Sequence, residues 1–219
     1  MSDAADDRPR FRPPLPERLA IAGPAGPLEA VVEVPAGFDG RRAAIVCHPH
    51  PVYGGTLDNK VVHTTARALQ ERGLATIRFN FRGTGASAGA FDDGRGETED
   101  ALAVADYALA RWQGAALTVA GFSFGAFVAF QLAGRRPLKQ LFTIAPPVRR
   151  FDFARLPVPR VPWIVIQGDR DELVDHAAVL AWTRTVVPSP VVVLLAGAEH
   201  FFHGRLNELR AAVQANLVD

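Results

Sequence analysis

Three groups of residues in this sequence have the types that nucleophilic catalysis requires. Ser123 stands in Gly-Phe-Ser-Phe-Gly, Gly121 to Gly125, between an apolar run and a second run of small apolar residues. A serine hydroxyl is a weak nucleophile and needs a base within hydrogen-bond reach. Downstream, "QGDRDELVD" offers Asp169, Asp171 and Asp175, and "GAEHFFHG" offers His200 and His203. The chain order serine, acid, histidine suits acyl transfer from a serine on a strand-to-helix turn. Such a turn is tight and strained, and side chains two residues to either side would meet neighbouring backbone, so Gly121 and Gly125 stay bare.

Among the acids, Asp169 follows its strand closely and reads as a turn residue bonded to its own backbone. Asp175 suits a helix cap before His176. Asp171 lies two residues further into the loop than Asp169, where its side chain is able to turn toward a neighbouring strand end, and it is the favoured acid. His200 comes first after the next apolar run and is the favoured base. His203 reads as a surface or capping residue, and His63 and His176 as structural residues of helices.

Acyl transfer also needs N–H donors aimed at the developing oxyanion. One is expected at Phe124, directly after the serine. The other is expected in "CHPHPVYGGT", where Pro49 and Pro51 carry no N–H and frame that of His50. The pair His48 and His50 could instead bind a metal ion, but the prolines restrict how both imidazoles could face one ion, and no metal or other cofactor is expected.

These residues need elements to carry them. "RLAIAG" and "LEAVVEVP" read as strands joined at a Pro-Ala-Gly-Pro turn. From "AAIVCH" onward, apolar strand-like runs alternate with stretches of helical spacing up to "RLNELRAAVQANL". That alternation predicts an α/β fold with a mostly parallel twisted sheet and helices on both faces. In such sheets ligands bind beyond the carboxyl ends of the strands, and Ser123, the acids and the histidines all follow predicted strands. Residues 1–16, charged and proline-rich, read as a flexible arm, and 17–219 as one domain.

Joined together, "CHPHPVYGGTLDNKVV", "RFNFRGTGASAG", "GFSFGAF", "GDRDELV" and "AEHFFHG" resemble the α/β-hydrolase superfamily, and within it the small bacterial members related to dienelactone hydrolase. The resemblance runs from Cys47 to Gly204. It implies a serine hydrolase with Ser123 as nucleophile, Asp171 as acid and His200 as base, and it supports the His50 and Phe124 N–H groups as the oxyanion hole. The early loop reads His-Pro-His where the superfamily more often has His-Gly-x. Relatives often carry a lid where this sequence has only "VRRFDFARLPVPR". No cap domain is expected, and an open cleft follows. Tyr53, Phe122, Phe124, Phe201 and Phe202 are its possible apolar walls, with Tyr53, Phe124 and Phe201 as the expected substrate contacts.

The expected reaction is hydrolysis of carboxylic esters with short or medium acyl groups. Thioester and amide cleavage use the same parts. "GTGASA", Gly83 to Ala88, fits a dinucleotide fingerprint, but the "GAFDDGRGE" that follows in place of a helix argues against it. A third possibility is a ligand-binding protein of the same architecture without activity. The net charge of +1 and scattered arginines give no reason to expect a nucleic-acid or membrane partner. The single cysteine, Cys47, allows no internal disulfide, and the charged start lacks the apolar core of a secretory signal, so a cytoplasmic protein is expected.

Overall fold

The computed structural model describes residues 11–219. Most of the expected arm therefore lies outside the described residues; residues 11–16 have no regular secondary structure. Eight strands form one sheet: β1 (Glu17–Gly23), β2 (Gly26–Glu33), β3 (Arg42–Cys47), β4 (Ala75–Phe79), β5 (Ala116–Phe122), β6 (Gln140–Ile144), β7 (Trp163–Gly168) and β8 (Val191–Leu195). Their order across the sheet is β1-β2-β4-β3-β5-β6-β7-β8. β2 pairs antiparallel with β1 and β4; every pairing from β4 through β8 is parallel.

The parallel strands are buried on both faces because their side chains alternate between two cores. Ala43, Ile45 and Cys47 of β3 join one cluster, and Ala44 and Val46 join the other. The first cluster is covered by α2 (Arg95–Arg111), α3 (Phe124–Ala133) and α4 (His176–Thr183), the second by α1 (Lys60–Gln70) and α5 (Leu206–Ala215). A slip of one residue in β3 would exchange the two sets, so this double burial fixes the register and with it the height at which each strand delivers its loop.

Local chemistry sets the helix ends. The Asn59 side chain accepts the Val61 N–H at 2.9 Å and opens α1, and Asp175 accepts the Ala177 N–H at 2.9 Å and opens α4, as expected for caps. Glu97, buried in the first turn of α2, accepts the N–H groups of Asp92 and Gly94, each at 2.8 Å. "GTGASA" after β4 forms turns rather than a helix start. There Ser87 Oγ donates to the Asn80 carbonyl at 2.7 Å, and α2 begins only at Arg95. Between β6 and β7 the only helical element is a 3₁₀ turn at Phe153–Arg155, so this connection supplies no helical cap over the end of the sheet. Among the described residues, no helix is long and apolar enough to cross a membrane.

Candidate active site

Ser123 joins β5 to α3 with φ 53° and ψ −118°. For a residue with a Cβ this backbone conformation costs about 1–3 kcal/mol and persists because the surroundings enforce it. A Cβ at Gly121 would strike the carbonyl of Gly125, and one at Gly125 would strike the carbonyls of Cys47 and His48. The two glycines thus let the turn close on itself and lie flat against the end of β3. The Ser123 N–H donates to the Ile144 carbonyl of β6 at 2.8 Å, which anchors the turn across the sheet.

The loops after β7 and β8 bring the predicted partners to this turn. His200 Nε2 lies 3.2 Å from Ser123 Oγ. Its Nδ1 lies 2.9 Å from Asp171 Oδ2 and 3.1 Å from Oδ1. Both side chains are nearly out of solvent, at 3% and 1% exposure, so the carboxylate and imidazole face each other where little water screens them. Phe122 and Phe201 flank the imidazole, each with ring centres 5.0 Å from it. Asp171 is held by more than the histidine: its Oδ1 accepts the N–H groups of Leu173 at 2.9 Å and Val174 at 2.7 Å. Burial alone would raise its pKa. The His200 hydrogen bond and charge, together with these N–H donors, outweigh burial and hold the carboxyl below its ordinary value.

The other candidates separate cleanly. Asp169 Oδ1 accepts the Gly197 N–H at 2.6 Å and ties the β7 and β8 loops together, in place of the bond to its own backbone that the local sequence predicts. The side chain reaches across because the parallel neighbour brings the β8 loop within range, which local turn statistics do not see. His203 is exposed, 3.7 Å from Glu199, and His63 is exposed on α1.

The two expected oxyanion donors stand at adjoining strand ends. Phe124 is the first residue of α3, where N–H groups have no partner within the helix. The His50 carbonyl accepts the N–H groups of Tyr53 at 3.1 Å and Gly55 at 3.0 Å, so its peptide is clamped from one side. Among the described residues neither the Phe124 nor the His50 N–H has an acceptor. His48 is fully buried: its Nε2 accepts the Phe81 N–H at 3.0 Å, leaving Nδ1 to donate to the Pro49 carbonyl at 2.7 Å. With both nitrogens occupied it has no lone pair for a metal. Among the described residues there is no group of three or more His, Cys, Asp or Glu arranged to hold a metal ion.

Above these groups lies an open cleft of about 830 Å³, lined among others by Ser123, His200, His50, Tyr53, Phe151 and Leu173. Tyr53 is 69% and Phe201 37% exposed, and both border it. Phe124 also borders it, but its ring is buried in the core against Phe81 and Phe151, as are Phe122 and Phe202. The Phe124 ring centre also stands 5.0 Å from that of His50, so Phe124 closes the base of the cleft.

Three features of the site were not read from the sequence. Arg150 donates to the Tyr53 hydroxyl at 3.0 Å and stands 5.0 Å from its ring centre, bridging two loops at the cleft rim. Glu172 accepts the His200 backbone N–H at 3.2 Å. Gln167, fully buried in β7, donates to Asp171 Oδ2 at 3.0 Å, while its own Oε1 has no partner among the described residues. A buried oxygen left unpaired costs about 1–3 kcal/mol. The signal for Gln167 was present, since it is the one polar residue in the apolar run "WIVIQG".

Residues 27–156 match the X-Pro dipeptidyl-peptidase (S15) family. The chain is 43% identical to XC6422 of Xanthomonas campestris, an α/β serine hydrolase without a lid, with 95% of this chain and 96% of that one covered and a TM-score of 0.88. An α/β serine hydrolase homologue from Coxiella burnetii is 46% identical over 92% of this chain and 97% of its own, again with a TM-score of 0.88. The chain belongs to the S15 family of α/β serine hydrolases. The S15 match includes His50 and Ser123 of this hydrolase and stops short of Asp171 and His200. Dienelactone hydrolase from Anabaena variabilis, at 18% identity, shares the fold with a TM-score of 0.78 over 92% of this chain and 96% of its own.

Proposed function

We propose that this serine hydrolase cleaves carboxylic esters of short or medium acyl groups through an acyl-enzyme on Ser123. The observation that carries the reading is the continuous hydrogen-bond chain from Ser123 Oγ through His200 to Asp171 at the floor of an open cleft. In the proposed reaction His200 Nε2 takes the proton of Ser123 Oγ as that oxygen bonds to the substrate carbonyl carbon. Asp171 holds the imidazole in the tautomer with Nδ1–H and stabilises its cation. The carbonyl oxygen, now negative, faces the N–H groups of His50 and Phe124, each worth about 3 kcal/mol of transition-state stabilisation in comparable sites. The tetrahedral intermediate collapses, and the leaving alcohol departs with the proton from His200. Water, deprotonated by the same imidazole, then attacks the acyl carbon; the bond to Ser123 Oγ breaks, the carboxylic acid leaves and His200 returns the proton to Oγ.

The cleft suits a small-molecule ester or thioester lying against Tyr53 and Phe201. The single cysteine, Cys47, is buried, in keeping with a reducing compartment, and a cytoplasmic location belongs to this reading. The match to a peptidase family favours a second reading, in which the same triad cleaves a dipeptide from a chain with proline in second place. A direct comparison of p-nitrophenyl butyrate with Ala-Pro-p-nitroanilide separates the two. Ester turnover is expected to dominate, to persist in EDTA and to vanish in Ser123→Ala with the fold intact. Equal ester turnover in Ser123→Ala would end the proposal, and faster anilide cleavage would favour the peptidase.

A further inference from the structure

Gln167 sits one residue before the end of β7, fully buried, in a strand whose other side chains are apolar. Its Nε2 faces three acceptors: Asp171 Oδ2 at 3.0 Å, the Gly168 carbonyl at 3.2 Å and the Val174 carbonyl at 3.4 Å. That surrounding fixes the amide's orientation, because the reversed amide would set its oxygen against a carboxylate and two carbonyls. In the orientation adopted, Oε1 is buried with no partner among the described residues. A leucine or methionine would strand no buried oxygen of its own but would take the donor from these acceptors, so the glutamine is kept for what its amide holds, the Asp171 carboxylate foremost.

We infer that Gln167 is a positioning residue for the reaction, fixing the carboxylate of Asp171 through Oδ2, the oxygen nearer to His200 Nδ1. The inference rests on the proposed roles of Ser123, His200 and Asp171. The three N–H donors divide the carboxylate between them. Leu173 and Val174 hold Oδ1 from the loop, and Gln167 holds Oδ2 from the sheet. The loop donors lie two and three residues from Asp171 and move with it. Gln167 belongs to a strand hydrogen-bonded on both sides, to β6 and β8, and is the donor that ties the acid to the rigid sheet. With Oδ2 fixed, the Nδ1–H of His200 has one direction to point, and Nε2 is thereby aimed at Ser123 Oγ. No atom of Gln167 touches the reacting groups; it acts only through Asp171.

Two substitutions test this in the full-length protein. Gln167→Met keeps the volume and removes the amide. Removal of the unpaired Oε1 offsets loss of the donor, so its melting temperature is expected to stay within a few degrees of wild type while kcat for p-nitrophenyl butyrate falls about tenfold with KM little changed, the pattern of a misaimed base. Gln167→Glu replaces the donor by a group that donates only while protonated. Its kcat/KM is expected to fall again on the alkaline side, where two carboxylates face each other, in a pH range where wild type stays level. Wild-type kcat in Gln167→Met, or a loss of activity matched by a loss of melting temperature and by a Gln167→Glu profile parallel to wild type, would overturn the inference. If the wild-type protein itself turned over no ester and took no fluorophosphonate label, the reading of the triad would fail instead, so the two failures are distinguishable.

Discussion

His48 and His200 are both buried histidines beyond the carboxyl ends of parallel strands, one directly after β3 and the other in the loop after β8. Their surroundings differ in one respect that decides what each is able to do. Both nitrogens of His48 are spent on backbone: one accepts from Phe81 and the other donates to Pro49. Burial, only partly opposed by the Pro49 carbonyl, pushes its pKa down to about 4. His200 spends one nitrogen on Asp171 and turns the other to Ser123 at the floor of the cleft. Position at a strand end is thus not enough for chemistry. A histidine becomes a base when a carboxylate occupies one nitrogen and a reacting group meets the other.

If that contrast is right, substitutions at the two positions should fail differently. His200→Gln keeps an N–H donor for the buried Asp171 carboxylate and removes the base. Ester turnover should drop by about 10⁴-fold or more, while urea unfolding shifts by less than about 1 kcal/mol. His48→Ala should do the opposite. It leaves the Phe81 N–H and the Pro49 carbonyl unpaired around a cavity and should destabilise by about 3 kcal/mol, with turnover per folded molecule falling far less than in His200→Gln. Comparable activity losses in the two variants would erase the distinction.

The low pKa of His48 gives a pH signature that sharpens the contrast. Its folded value, about 4, lies below the unfolded value of 6.5. Between those limits the unfolded chain binds the extra proton, so stability falls as the pH falls through that window. The shift corresponds to about 3 kcal/mol. Urea denaturation across pH 4 to 7 should show this slope in wild type and a flatter one in His48→Gln. A smaller effect is expected at the rim, where Tyr53→Ala should raise KM for aromatic esters a few-fold with kcat largely kept, as for a contact made equally in ground and transition states. An unchanged KM would remove Tyr53 from the substrate path.

Much of the candidate site was legible in the sequence because the turn at Ser123 imposes requirements that local chemistry reveals. Only glycine tolerates the approach of the Gly125 carbonyl to Gly121, or of the Cys47 and His48 carbonyls to Gly125. Strand alternation likewise gave the parallel sheet, because β3 and its neighbours must feed two cores at once. Contacts across the sheet were less accessible. The bond from Asp169 to Gly197 joins residues 28 positions apart, and the Arg150–Tyr53 bridge spans 97; neither leaves a local pattern. Gln167 was visible as a polar residue in an apolar strand, but its meaning depended on where Asp171 folds back.

The central claim, that His200 activates Ser123 for attack on an acyl carbon, is tested most directly by mass spectrometry of the protein after exposure to a fluorophosphonate. A single adduct on Ser123 is predicted in wild type, formed far more slowly in His200→Gln and absent in Ser123→Ala. An adduct on another residue, or labelling of Ser123 at the same rate without the imidazole, would contradict the account.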